Sequence, residues 1–181
     1  MSIILLQGSS RENGNTEILS KLLVEGLTYK QINLRDFSIK PILDQRHDEG
    51  GFQAVDDDYD EIIMEVLKAD RIIFATPLYW YGMSGLMKNF VDRWSQSLRD
   101  SRFQFKEEMS RKKAIVVVCG GDDPKIKGLP LIQQFQYIFD FVQMPFEDYV
   151  IGKGGRPGDV LHDEIALQKA CQVNLSFRNN K

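Results

Sequence analysis

Cysteine is scarce in this chain of 181 residues: only Cys119 and Cys171 occur, far apart and in no C-x-x-C or Cys/His cluster. That excludes a disulfide framework and a structural zinc site, and it fits a reducing compartment. Histidine is as rare, and neither His47 nor His162 has a second histidine or a carboxylate at metal-motif spacing. Charge of one sign is missing too, because 23 Lys and Arg against 26 Asp and Glu leave a net charge of -3, with no cationic excess for a nucleic-acid backbone. No apolar run approaches the roughly 18 residues of a membrane span, and the N-terminus lacks the basic, apolar and small-residue order of a signal peptide. The expectation is a cytoplasmic protein that binds neither nucleic acid nor membrane, folded as a single domain over residues 1–181.

What is present is a series of short apolar runs. Ser2 to Gln7, Arg71 to Ala75 and Ala114 to Cys119 are continuous rather than alternating, the pattern of strands covered on both faces of a parallel sheet. A short strand at Tyr29 to Leu34 and another near Phe146 to Ile151 bring the number to five. Between them, apolar residues at helical spacing predict helices after Thr16, over Asp58 to Lys68, Ser84 to Leu98 and Leu129 to Val142, with a last one from Asp159 to about Leu175. Arg35 to Asp57 reads as a polar, turn-rich stretch, and Pro77 is expected to end pairing of the third strand. Alternating strands and helices imply right-handed crossovers and an α/β doubly wound parallel sheet of order 2-1-3-4-5. Ligands of such sheets bind beyond the carboxyl ends of the strands, which directs attention to the loops starting at Gly8, Thr76 and Gly120.

The first loop, Gly8-Ser9-Ser10-Arg11-Glu12-Asn13-Gly14-Asn15-Thr16, joins a strand to a helix N-terminus, where free amides and the helix dipole favour an anion. Ser9, Ser10, Asn15 and Thr16 add small donors and Arg11 a fixed charge, so the loop suits a phosphate, although a plain polar turn capped by Asn15 or Thr16 uses the same residue types. The lysine-bearing G-x-x-x-x-G-K-[ST] loop and the G-x-G-x-x-G turn are both absent, which favours a terminal monophosphate. The second loop, Thr76 to Gly85, places Tyr79, Trp80 and Tyr81 in a row at the same edge. Flat rings and free amides there suit a planar heterocycle with a phosphate tail, while core or subunit-interface aromatics are the alternative. Gly120 and Gly121 permit a third close backbone approach, or simply a turn.

GSSRENGNT from Gly8, TPLYWYGMSGLMKNFVDRW from Thr76 to Trp94, and the junction Cys119-Gly120-Gly121 resemble the flavodoxin-like NAD(P)H-dependent FMN reductases, including the multimeric flavodoxins once called tryptophan-repressor-binding proteins. The resemblance implies a flavodoxin-like fold and bound FMN. It places Ser9, Ser10, Arg11, Asn15 and Thr16 at the FMN phosphate. Pro77, Leu78, Tyr79, Trp80, Tyr81 and Gly82 would line the ring and ribityl chain, with Gly120 and Gly121 near a ring edge. It also implies hydride transfer from NADPH or NADH to the flavin and onward to a quinone or similar small-molecule acceptor, with no side chain acting as catalyst. An electron-transfer flavodoxin and an FMN-holding regulatory protein are the alternatives; the near-balanced charge is unlike that of acidic carriers. Some relatives carry cysteines for an iron-sulfur cluster after the second strand, where this chain reads Ile42 to Gly51 without one, so no cluster is expected. The exposed aromatic row predicts a homodimer or homotetramer. Asp56 to Glu61 reads as acid at a helix start rather than as a metal site, and Lys125 and Lys127 as solvated lysines near the third loop.

Overall fold

The computed structural model describes residues 2–179. Five strands, β1 (Ile3–Gln7), β2 (Lys30–Asn33), β3 (Arg71–Pro77), β4 (Lys113–Gly120) and β5 (Phe146–Lys153), pair in parallel in the order β2-β1-β3-β4-β5. The continuous apolar runs are explained by burial on both faces, since successive side chains along a strand point to opposite sides. Ile4, Leu6, Ile72, Phe74, Val116 and Val118 enter one core, and Ile3, Leu5, Ile73, Ala75, Ile115 and Val117 enter the other. The first face is covered by α2 (Tyr59–Leu67), α3 (Gly85–Asp92), α4 (Trp94–Ser97), α5 (Phe105–Ser110) and α7 (Leu129–Phe141). On the opposite face lie α1 (Asn15–Leu23) and α8 (Glu164–Asn179), and the single turn α6 (Pro124–Lys127) follows β4. Phe74 centres the first core, 5.1 Å from Phe139 and 5.9 Å from Phe135 between ring centroids.

Three expectations need correction. The third strand runs two residues beyond Ala75: regular pairing ends at Pro77 as expected, but Pro77 is itself the last residue of β3, in register with Cys119, and Leu78 N–H donates to the Cys119 carbonyl at 2.8 Å. Successive amides of a strand alternate sides, so the amide that Pro77 lacks would face β1, whose last pair with β3 is Gln7 with Ala75. The expected helix over Ser84 to Leu98 divides at Arg93 into α3 and α4, and the last helix starts at Glu164 after a tight turn over Asp159–His162. The short helices α5 and α6 were not expected.

Arg93 stands at the division between the two helices, and its side chain ties down the polar stretch. Its side chain and that of Asp57 are 2% and 1% exposed, and Arg93 Nη1 donates to Asp57 Oδ2 at 2.5 Å. The same nitrogen donates to the Lys40 carbonyl, Nε donates to Gln96 Oε1, and the guanidinium stacks over Tyr59 at 4.6 Å. Asp57 Oδ2 also accepts from the Lys40 amide, and Asp58 Oδ2 accepts from the Ser38 amide at 2.6 Å. The acids read as dipole-favoured residues thus tie the segment after β2 back onto the helical layer. Enclosure alone would raise the Asp57 carboxyl, but Arg93 and the amides of Lys40 and Tyr59 outweigh it and hold the group below its ordinary value.

Removing one partner of an enclosed pair strands the other, so Asp57→Ala should cost about 3 to 5 kcal/mol in urea denaturation. The carboxylate's contribution is complete above the unfolded value of 3.8 and is lost as pH falls through the lower folded value. The deficit of the variant should therefore shrink below about pH 4; a deficit independent of pH would contradict this account.

Candidate active site

The carboxyl ends of β1, β3 and β4 bring the three loops to one edge of the sheet. The first loop is fixed from within. Ser9, 5% exposed, accepts from the Arg11 amide at 3.2 Å, and Asn13, at φ 52°, donates its amide to Glu17 Oε2 at 2.9 Å. Glu17 is buried as well. Burial would raise its carboxyl, but Lys21, the Asn13 amide and Gln31 hold it below the ordinary value, so it stays ionised and keeps the loop in shape. At the start of α1 no side chain caps the helix from Gly14, which leaves the first-turn amides facing the loop without a capping group. Arg11 is exposed and makes no ion pair among the described residues.

Ser84 joins the first loop to the second. Its hydroxyl donates to the Gly8 carbonyl at 2.6 Å and accepts from the Met87 amide at 3.1 Å as the cap of α3, while its own amide donates to Thr76 Oγ1 at 2.9 Å. A side chain at Gly8 would meet Met87 Cβ and Ser84 Oγ at 3.0 Å, so only glycine permits this close approach. At the second loop Tyr79 and Gly82 exchange two backbone hydrogen bonds of 3.0 Å, and Trp80 and Tyr81 between them hold φ values of 48° and 64°. Tight hairpin turns of this hand normally use Asn or Gly at both places. Trp80 is 98% exposed, and Tyr79 and Tyr81 are about half exposed, so of the two readings of this row, core residues are ruled out.

The third loop locks onto the second. Tyr81 Oη donates to Asp122 Oδ2 at 2.8 Å, and Lys127 Nζ reaches the same oxygen at 2.6 Å. At Gly120 a Cβ would lie 3.0 Å from Leu78 Cβ, and at Gly121 one would lie 3.3 Å from Gly155 Cα. Lys127 is therefore paired rather than simply solvated, and Lys125 is paired with Asp163 at 2.6 Å.

Among the residues expected at the phosphate, Ser9, Ser10 and Arg11 lie on the first loop with Ser10 and Arg11 exposed. Asn15 and Thr16 are engaged elsewhere. Asn15 Nδ2 donates to the Arg156 carbonyl at 2.8 Å and its Oδ1 accepts from the Val160 amide, while Thr16 is buried and hydrogen-bonded to Cys119. What these two still offer to an anion is their backbone amides. Burial pushes the Cys119 thiol up to about 12, which keeps it protonated and unreactive at neutral pH. Pro77, Leu78, Gly82, Gly120 and Gly121 border the edge with the three aromatics. Sequence reasoning missed Ser84 and Glu17. The S-x-x-M start of α3 carries an ordinary capping signal for Ser84, but its bond to Gly8 spans 76 residues. No group of three or more His, Cys, Asp or Glu among the described residues could hold a metal.

A five-stranded parallel sheet of this order, with helices on both faces, defines the flavodoxin-like class. Residues 1–153 match the sequence model of the NADPH-dependent FMN reductases, and the chain belongs to that family. It is 53% identical over 174 residues, 96% of either chain, to YwqN of Bacillus subtilis strain 168, described as a NAD(P)H-dependent FMN-containing oxidoreductase. It is 31% identical to the iron-sulfur flavoprotein MJ1083 of Methanocaldococcus jannaschii, covering 94% of this chain and 92% of that one. The solved structure of the Trp repressor binding protein from Bacillus subtilis superposes with a TM-score of 0.81 at 46% identity, covering 94% of this chain and 96% of that one.

Left-handed backbone costs an L residue about 1 to 2 kcal/mol, and Trp80 buries nothing in return. Trp80→Gly should therefore leave stability in urea unchanged or raise it by up to about 1 kcal/mol, while changing the quenching or affinity of added FMN. A loss of stability would mean the indole is held by contacts within the fold.

Proposed function

We propose that this chain is an NAD(P)H-dependent FMN oxidoreductase in which residues 1–181 act as one FMN-binding domain. The FMN phosphate would lie on the first loop and the uncapped start of α1, with Ser9, Ser10, Arg11, Asn15 and Thr16 around it, the last two through backbone amides. The ring would lie along Pro77 to Gly82 against Gly120 and Gly121. The observation that carries this reading is the meeting, at one sheet edge, of an uncapped helix start, an exposed Arg11 that makes no ion pair among the described residues, and a turn that exposes three aromatic rings. Held there, FMN would supply redox chemistry between NADPH or NADH and a quinone or similar small acceptor.

The protein's own part is to bind and orient. Glu17 holds the first loop, Ser84 sets its distance from the aromatic turn, and the Tyr81–Asp122–Lys127 chain fixes that turn against the third loop. Trp80 and Tyr79 stand free to border a stacked ring system. The quinone acceptor is supported by similarity to the FMN-dependent NADH:quinone oxidoreductase 1 of Colwellia psychrerythraea, 24% identical over 161 residues. An enzyme without an iron-sulfur cluster agrees with a chain that has only two cysteines, neither of them between Ile42 and Gly51. A homodimer or homotetramer in the cytoplasm completes the reading. Its support is an apolar groove of about 520 Å³ between α3, α4 and α7, flanked by Tyr137 and Phe141, which are 67% and 60% exposed.

Removing the guanidinium with Arg11→Ala should weaken FMN binding by about 1 to 3 kcal/mol, the range for a charge-assisted hydrogen bond, and riboflavin should bind the wild type more weakly than FMN by a comparable amount. Fluorescence titration reads both. Equal affinity for FMN and riboflavin would remove the phosphate from the first loop.

A further inference from the structure

Beyond the third loop lies a second cleft, of about 600 Å³, which shares only Gly121 with the proposed FMN site. Gly121 forms one wall and Lys153, Gly154, Gly155 and Arg156 another, with Lys125 and His162 at its border. It adjoins the flavin edge directly, because the Gly154 amide donates to the Gly120 carbonyl at 2.9 Å and the backbones of Gly121 and Gly155 nearly touch.

Its charges are not balanced internally. Asp163 accepts from Lys125 Nζ at 2.6 Å and from the amides of Lys153 and Ala166, and Asp159 accepts from the amides of Gly155 and Arg156. Both carboxylates are thus committed to the wall of the cleft. The side chains of Lys153 and Arg156 make no ion pair among the described residues, although their backbones are fixed. The Arg156 amide donates to Asp159 and its carbonyl accepts from Asn15, while Lys153 is in register with Gly120 at the end of β5. The cleft therefore carries three side-chain cations, Lys125, Lys153 and Arg156, against the two carboxylates Asp159 and Asp163, and the backbone that bears Lys153 and Arg156 is fixed before any ligand arrives.

We propose that this cleft takes a phosphate group of the incoming nicotinamide dinucleotide on Lys153 and Arg156. The proposal rests on the reading of the sheet edge as the flavin site, since a nicotinamide placed against the flavin leaves the nucleotide's phosphates to be held at a neighbouring surface. The 2′-phosphate of NADPH and the pyrophosphate common to NADPH and NADH share this chemistry, and the two are separable by experiment.

In the FMN-loaded protein, Lys153→Ala and Arg156→Ala should each raise KM for NADPH about tenfold with kcat little changed, as expected for loss of one charge-assisted contact made equally in ground and transition states. Both side chains are exposed, so neither substitution removes core packing, and Arg156→Lys should recover part of the loss. A rise confined to NADPH identifies the 2′-phosphate, and an equal rise for NADH identifies the pyrophosphate; either supports the site. Calorimetry with adenosine 2′,5′-bisphosphate reads the cleft without turnover, and the double variant should lose that binding at unchanged FMN affinity. If the wild type oxidises neither nucleotide, the oxidoreductase reading fails while this titration still decides the site. Unaltered KM for both nucleotides together with unaltered bisphosphate binding overturns the proposal, and so does weakened FMN binding in the double variant, which would assign the two cations to the flavin phosphate.

Discussion

The hydroxyl of Ser84 is the constraint on which the ligand-facing edge depends. Parallel strands end in loops that have no reason to keep a common distance, because each loop belongs to a different crossover. Ser84 supplies that reason. It caps α3, accepts nothing from solvent, and spends its proton on the carbonyl of Gly8, the first residue beyond β1. The bond is short and buried, so leaving the Gly8 carbonyl without it would cost more than a surface hydrogen bond of the same length. The glycine at position 8 is the other half of the same device, since a Cβ there would separate the loop from α3.

A second tie operates at longer range. The enclosed Arg93–Asp57 pair lies away from the loops, yet it decides where the residues between β2 and α2 run and where α3 stops. An ion pair of this kind adds little net stability compared with apolar packing, but it strongly penalises any arrangement that separates its members. The polar segment therefore has a defined path without a hydrophobic core of its own.

The parts of the structure that were legible in the sequence are those set by local pattern. Continuous β-branched runs mark strands buried on both faces, and the strand order follows from alternation and crossover handedness, so the sheet and the loops at its carboxyl edge could be read directly. Gly8 to Gly14 and the turn holding the aromatic row were legible as loops because glycine, serine, asparagine and proline break regular structure, whereas Asn15 and Thr16, read as loop, already belong to α1. What escaped depends on partners distant in the chain. Asn15 looks like a phosphate donor or a helix cap, but its side chain is claimed by Arg156 and Val160, more than 140 residues away. Thr16 looks exposed at a helix start, but the close packing of α1 against β4 buries it beside Cys119. Pro77 reads as lying beyond the strand only when the direction of its missing amide is unknown. Arg93 sits in an unbroken helical pattern, and nothing local announces that its guanidinium turns inward.

The aromatic turn brings these constraints together. Two consecutive non-glycine residues at positive φ are unfavourable in isolation, and Trp80 offsets none of the strain by burial while Tyr81 is only half buried. The turn persists because it is held from both sides: its ends by the paired bonds between Tyr79 and Gly82, its apex by the Tyr81 hydroxyl on Asp122, and its base by Leu78 packed against Gly120. A turn built from Asn and Gly would close the same loop at lower cost but would present no flat surface. Strain of this kind, maintained by a surrounding frame and yielding nothing to the fold, is intelligible as pre-organisation: the backbone that carries the rings is fixed before a ligand arrives, so binding need not order the turn.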